Sequence, residues 1–255
     1  MDTAKEDQIL INHLLDLAEE ASTRYCYVYS NFLSMGELSL FESRCSDFSW
    51  FNYRFDGGHD YSDRKVIGFY NDFCKEEKPE AAPIDCLVIA PVMEKFSDNL
   101  SHRDFLGALL NLGIERGLLG DLIIQDNRAY VFCLNHITDF IIQNLTKVKH
   151  TRVKAVLWDK DTPVFTPKFK IKTGTVTSIR LDSIIALAFS VSRTNAVRLI
   201  GSESVFVNGR CVISNSCSLK DGDIISVRGF GKFIFESTDR KSRKDKFVVN
   251  IHVFI

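Results

Sequence analysis

No apolar run in the 255-residue chain approaches the roughly 20 residues that span a bilayer as a helix, so no membrane partner is expected. The opening residues, Met-Asp-Thr-Ala-Lys-Glu-Asp-Gln-Ile-Leu, are mixed in charge and lack the basic-then-apolar order of a secretory signal. A cytoplasmic location is therefore expected. No Cys-x-x-Cys pair exists among the 7 cysteines, at 26, 45, 74, 86, 133, 211 and 217, which removes the basis for a zinc ribbon or a thioredoxin-type site. Most have apolar neighbours, as Cys133 does between Phe132 and Leu134, and read as buried, reduced thiols. There is no internal repeat, no low-complexity tract, and no glycine-rich strand-to-helix turn such as a methyltransferase would need. No metal and no cofactor are expected.

What is present is ordinary in amount and uneven in distribution. Hydrophobic and charged fractions of 45% and 25% are those of a globular chain, here long enough for two or three cores. The formal net charge of −1 hides a gradient: residues 1–80 carry 8 Lys/Arg against 16 Asp/Glu, residues 81–165 carry 9 against 10, and residues 166–255 carry 15 against 7. One end is thus at −8 and the other at +8, a pattern that points to a polyanion-binding end. Charge alone leaves nucleic-acid binding and a merely solvated basic surface equally open.

Periodicity predicts an amphipathic helix over 3–22, with Ile9, Leu10, His13, Leu14 and Leu17 on its inner face. Residues 49–55 alternate like a strand, Asp56-Gly57-Gly58 turns, and 65–70 is the partner strand. Residues 75–83 read as a linker. From 84 the pattern is strand (84–91), helix opened by Ser101 and carrying Phe105, Leu106, Leu109 and Leu110, hairpin (121–124 and 130–134), helix (136–147) and strand (153–158). That β-α-β-β-α-β order is the split ferredoxin-like arrangement shared with RNA-recognition motifs. Arg128-Ala129-Tyr130-Val131-Phe132 only partly echoes the stacking signature of such motifs, so Tyr130 and Phe132 read as sheet core rather than site. After 166, Phe169, Ile171 and Thr173 alternate with Lys168, Lys170 and Lys172, as on a strand or an extended arm. Two helices at 182–190 and 193–200 precede strands at 205–208, 224–228 and 232–236. The apolar run 247–255 is expected to add a strand. The fold class is α+β, in three domains: 1–80, 81–165 and 166–255.

The chemistry concentrates in the basic end. Ser192 is a good N-cap, and the helix it starts offers its amides together with Arg193 to a phosphate. Asn195 shares that end and Arg198 lies about one turn further on. Asn208-Gly209 suits a turn with positive φ, placing Arg210 at its tip. Lys220, Arg228 and Lys232 add cations. Structured RNA presents shape, phosphates and 2′-hydroxyls, for which a rigid basic patch is the fitting tool. Arg180 and Asp182 also read as an ion pair within the domain.

Arg180-Leu181-Asp182, Ser192-Arg193, Val205-Phe206-Val207-Asn208-Gly209 and Gly222-Asp223-Ile224-Ile225, in that order, resemble the S4-type (αL) RNA-binding domain. Three further stretches resemble the YlmH family of bacterial S4-domain proteins, namely Ser101-His102-Arg103-Asp104-Phe105-Leu106-Gly107, Leu112-Gly113-Ile114-Glu115-Arg116 and Gly120-Asp121-Leu122-Ile123-Ile124. Arg228-Gly229-Phe230-Gly231-Lys232-Phe233 joins them. The resemblance implies an N-terminal α/β domain, a central RRM-like domain and a C-terminal S4-type domain. It also implies rRNA of the large ribosomal subunit and tRNA as partners, in the rescue and alanine tailing of stalled nascent chains. A tie to cell division is a weaker implication. The expected RNA-binding residues are Arg180, Asp182, Ser192, Arg193, Asn195, Arg198, Asn208, Arg210, Lys220, Arg228 and Lys232, with His102 and Arg103 as a secondary contact. DNA is not expected.

Three fragments imitate catalytic motifs and fail. His102-Arg103-Asp104 is without the asparagine spacing, glycine loop and Asp-Phe-Gly of a kinase. Arg180-Leu181-Asp182 looks like the pseudouridine-synthase triplet, but lies at the start of the S4-like segment with too little chain after it. Gly229-Phe230-Gly231-Lys232 lacks the Ser/Thr and following helix of a P-loop. No catalytic residues are expected; the alternative is an RNA-modifying enzyme whose active site lies in residues 1–160.

Overall fold

The computed structural model describes residues 3–72, 81–158, 167–242 and 245–254. The chain divides into two compact units, Met1–Phe165 and Thr166–Ile255. The architecture is mixed α+β with three antiparallel sheets.

The first unit opens with α1 (Thr3–Arg24). Its buried stripe is Ile11, Leu14, Ala18 and Ala21, while Ile9 is 60% exposed. The helix is rotated from the expected face because the two alanines let it lie close to the sheet, an advantage that counting bulky residues overlooks. That sheet has the order β1 (Val28–Tyr29), β3 (Val66–Tyr70), β2 (Asn52–Asp56). Strand β2 starts later than the aromatic alternation implies, because Cys45–Phe48 form a 3-10 turn and Trp50 is 91% exposed beyond it. Helix α2 (Met35–Ser43) was not foreseen, although Ser34-x-x-Glu37 is a capping box. The Ser34 amide donates to the Glu37 carboxylate at 2.6 Å and the Glu37 amide to Ser34 Oγ at 3.4 Å. Leu40, Phe41 and Phe48 then close the core over Ile67 and Phe69.

The second sheet follows the expected element order: β4 (Ile84–Pro91), α3 (His102–Asn111), β5 (Leu119–Gln125), β6 (Arg128–Leu134), α4 (Thr138–Asn144) and β8 (Thr151–Leu157). A short β7 (Lys147–Val148) is added, and the sheet runs β5-β6-β4-β8-β7. Helix α4 is shorter than the sequence indicates, since Asn135–Ile137 is a 3-10 turn and the chain turns extended at Leu145. The β5–β6 hairpin turns on Asp126 and Asn127 at φ +50° and +56°, residue types that tolerate the left-handed region. Helices α3 and α4 cover one face, burying Phe105, Leu109 and Ile141 on Leu87, Val131 and Val153. On the other face Phe132 and Leu134 pack with Phe32 and Val66. The His59 ring lies 4.8 Å from that of Phe132. Gly58, at φ +83°, is required here: a Cβ would sit 2.4 Å from the Phe132 ring.

Asp121 of β5 ties this sheet to the β2–β3 connection. Its carboxylate accepts the Asp63 amide (2.8 Å) and the Arg64 amide (3.2 Å), and shares a hydrogen bond with His59 Nε2 (3.1 Å). Arg64 donates to the carbonyls of Leu119 (3.0 Å) and Phe32 (2.7 Å), and Arg116 to those of Leu119 (2.6 Å) and Gly120 (3.1 Å). Burial, and then the neighbouring Arg64 charge, lowers Arg116 to about 10.

The second unit runs β9 (Phe169–Val176), α5 (Leu181–Phe189), α6 (Arg193–Gly201), β10 (Val205–Val207), β11 (Arg210–Cys211), β12 (Ile224–Val227), β13 (Gly231–Lys241), β14 (Phe247–Phe254). The sheet order is β11-β10-β12-β13-β14-β9. The lysine-alternating segment is a strand rather than an arm, and the apolar run forms β14 between β13 and β9. Helices α5 and α6 meet at 115°. They bury Leu181, Ile184, Ile185, Ala196 and Ile200 on Val205, Ile225, Phe233 and Ile251. Lys172 Nζ donates to the Ala188 carbonyl (2.6 Å) and Ser190 Oγ (3.0 Å), stopping α5 where Ser190 turns left-handed at φ +56°. Among the described residues no single helix is long and apolar enough to cross a membrane.

The cysteines are less buried than expected. Cys133 is buried, Cys26, Cys86 and Cys217 are half-buried, and Cys45 and Cys211 are exposed, on a 3-10 turn and a two-residue edge strand. Cys74 lies outside the described residues, as do most of the expected linker at 75–83 and part of the charged run at 239–246. Burial pushes both Cys86 and Cys133 up to about 12, which keeps them as inert thiols.

Candidate nucleic-acid interface

The joint between α5 and α6 organises the basic unit. Asp182, in the first turn of α5, is 3% exposed, and its carboxylate lies beneath two arginines. Arg180 Nε donates to Oδ1 at 3.2 Å; Arg193 donates to Oδ2 from Nε at 3.2 Å and from Nη2 at 2.6 Å. The arginine side chains are 45% and 57% exposed, so each is fixed along one edge and presents its remaining N–H groups to solvent. Burial works to raise the Asp182 pKa, but hydrogen bonds and charge from Arg193 and Arg180 outweigh it and hold the carboxyl below its ordinary value. Both carboxylate oxygens of Asp182 are thus engaged by the two arginines.

Ser192 caps α6 by accepting the Asn195 amide at 3.1 Å. One turn on, Arg198 donates to Asn195 Oδ1 at 3.0 Å, which extends the cationic edge begun by Arg193. Asn208 and Gly209 turn the β10–β11 hairpin at φ +48° and +76°. The Asn208 side chain is spent internally: it donates to Asp223 at 2.8 Å and accepts the Ile224 amide at 2.9 Å. Lys220 is exposed in the loop before β12, and its amide donates to Asp223 at 2.7 Å.

The remaining cations divide between two faces. Arg210 pairs with Val207, which packs on the helix-bearing side. Arg228 lies over the Phe206 ring at 4.8 Å and Lys232 over the Phe254 ring at 4.3 Å. The pairings Phe206 with Ser226 and Ser226 with Lys232 put these groups on the face away from the helices. The single basic patch read from sequence is thus a helix-end cluster, Arg180–Arg193–Arg198, and a separate cation–aromatic row on the outer sheet face.

In the first unit, Ser101 begins α3, with its amide and hydroxyl both donating to Asp104, at 2.8 and 2.6 Å. His102 follows; loss of solvent and then the charge of Arg116 lower its pKa from the ordinary value. Arg103 stays exposed. Tyr130 is half-buried with its ring edge-on to Trp158 at 5.5 Å. Phe132, at 1% exposure, is core. Among the described residues no group of three His, Cys, Asp or Glu is placed to share a metal ion.

The second unit thus combines a sequence charge of +8 with exposed arginines bonded to a buried carboxylate. Residues 87–160 match the family model described as "Putative RNA-binding domain in YlmH". Over 251 residues the chain is 25% identical to ribosome-associated protein quality control protein P2 of Bacillus subtilis, covering 96% of this chain and 94% of that one. Over 125 residues it is 29% identical to small ribosomal subunit protein uS4 of Lachnoclostridium phytofermentans, covering 46% of this chain and 63% of that one. Among solved structures it resembles the cell division protein ylmH from Streptococcus pneumoniae, with a TM-score of 0.51 at 16% identity over 60% of this chain and 91% of that one. The chain is thus similar to proteins of the YlmH family, by the model over residues 87–160 and by the relative that spans nearly its whole length.

Proposed function

We propose that the protein is a non-enzymatic RNA-binding factor of the cytoplasm that docks on the large ribosomal subunit with peptidyl-tRNA and assists rescue and alanine tailing of stalled nascent chains. On this reading residues 1–80 form an acidic α/β domain, 81–165 a ferredoxin-like, RRM-like domain, and 166–255 an S4-type RNA-binding domain. The observation that carries it is the Asp182 clamp. Guanidinium groups held in place before binding lose little freedom when they meet a phosphate, so the geometry favours a rigid, structured RNA. The name of the Bacillus subtilis relative supports the quality-control setting.

Sedimentation of tagged protein from lysate on sucrose gradients tests the reading. Arg198→Glu/Arg228→Glu is the informative variant, because neither arginine bonds Asp182. Wild type is expected in the free large-subunit fraction, with the variant at the top of the gradient. Raising the salt should release wild type, since every neutralised phosphate takes counterions back. Wild type remaining at the top in low salt overturns the reading.

A further inference from the structure

The central sheet does not offer the whole surface on which an RNA-recognition motif stacks bases, because Phe132 and Leu134 on that side are packed under Phe32 and Val66. On the opposite, helix-bearing side, α3 and the α4–β7 connection enclose a groove of about 560 Å³, within the range of roughly 300–1,000 Å³ typical of small-ligand sites. Its apolar wall is Ala108, Leu112 and Leu145, and its cations are Arg103, Lys147 and Lys149. Only Asp104 opposes them in charge among the lining residues. Lys149 Nζ lies 2.7 Å from that carboxylate, which the Ser101 amide and hydroxyl hold in turn. The ammonium is thereby oriented at the start of α3. At the other side stand the carboxamides of Asn111 and Asn144; Asn144 gives its N–H to the Phe140 carbonyl (2.8 Å), which leaves an amide oxygen for a base edge.

We propose that this groove seats one nucleotide of a single-stranded RNA, its base against the partly exposed Ala108 and Leu112 and its phosphate at Arg103 and Lys149. The inference rests on the reading of the protein as an RNA-binding factor and adds a second contact of a different kind. Charge selects a polyanion, and the apolar wall selects one that presents a base face. A single strand does so and a duplex, with its bases stacked away, does not. The Asp182 cluster of the second unit presents fixed cations and suits a folded RNA.

Gly107 supplies a clean test. It lies in the middle of α3 along the groove, and a Cβ there meets nothing within 4 Å. Gly107→Trp therefore starts a bulky side chain in open space beside the groove, while Gly107→Ala adds only the Cβ; both favour the helix more than glycine does. Binding of fluorescein-labelled oligouridine and of a labelled RNA hairpin would be followed by anisotropy with the full chain. Gly107→Trp is expected to weaken oligouridine by about tenfold, the scale of one lost base-stacking contact, with the hairpin and Gly107→Ala unchanged. Oligouridine binding that Gly107→Trp leaves intact, or that Arg198→Glu alone removes, overturns the groove and spares the RNA-binding reading. Failure of wild type to bind either RNA overturns both.

Discussion

Asp182→Ala is expected to lower the stability of the second unit by about 3 kcal/mol, the low end of the cost of stripping one partner from a buried ion pair. The low end applies because both arginines are about half exposed and water compensates part of the loss. RNA affinity should fall further than stability explains, since Arg180 and Arg193 are then free to rotate and must be ordered on binding. Asp182→Asn should fall between, keeping shape without charge. The pH dependence follows from the depressed pKa of Asp182 in the folded state. A carboxylate lowered on folding stabilises fully above its unfolded value of about 4, and that contribution is lost as the pH drops through the lower folded value. Urea unfolding followed by circular dichroism at neutral and acid pH measures both effects. Equal midpoints for wild type and Asp182→Ala at pH 7 would remove the clamp from the account.

Asp121→Ala is expected to cost the first unit about 4 kcal/mol, because a carboxylate that accepts two backbone amides and meets His59 is replaced by a methyl group. Each such charge-assisted bond contributes about 1.5–3 kcal/mol, and neighbours in one network do not add in full. The loss has a second part: Arg64 and Arg116 remain half-buried with one fewer countercharge. Scanning calorimetry should show the transition of the first unit shifted down and that of the second unmoved. A shift of both transitions would mean that the carboxylate supports more than the β2–β3 connection.

The parts of the structure that the sequence discloses are those in which cause and effect lie close together along the chain. The Ser192 cap, the Asn208-Gly209 turn, the hairpin at Asp126-Asn127 and the apolar run that becomes β14 each carry a local signal, and each is where that signal places it. The division of the cations into two clusters is not local. Whether Arg228 joins Arg193 depends on the register of β12 with β10 and β13, and one residue of slip would move it to the other face. Asp121 was invisible as a hub for a similar reason: its partners lie about sixty residues earlier. Asn208 and Asp182 are instructive in another way. Motif matching brings them in with the arginines, and their side-chain hydrogen bonds within the unit are visible only in the fold.

Strand β14 lies between β13 and β9, so the sheet of the second unit pairs its first strand in sequence with its last, Phe169 opposite Phe254. Helices α5 and α6, in contrast, touch through a short connection and draw their arginine pair together locally. Contacts near in sequence form early and those between distant segments form late, because the entropy of closing the long loop is lost before the pairing rewards it. On these grounds the α5–α6 pair is expected to form early and the β9–β14 pairing late, so a destabilising substitution in the helix pair should slow refolding while one in the β9–β14 pairing should mainly speed unfolding, as stopped-flow fluorescence would measure.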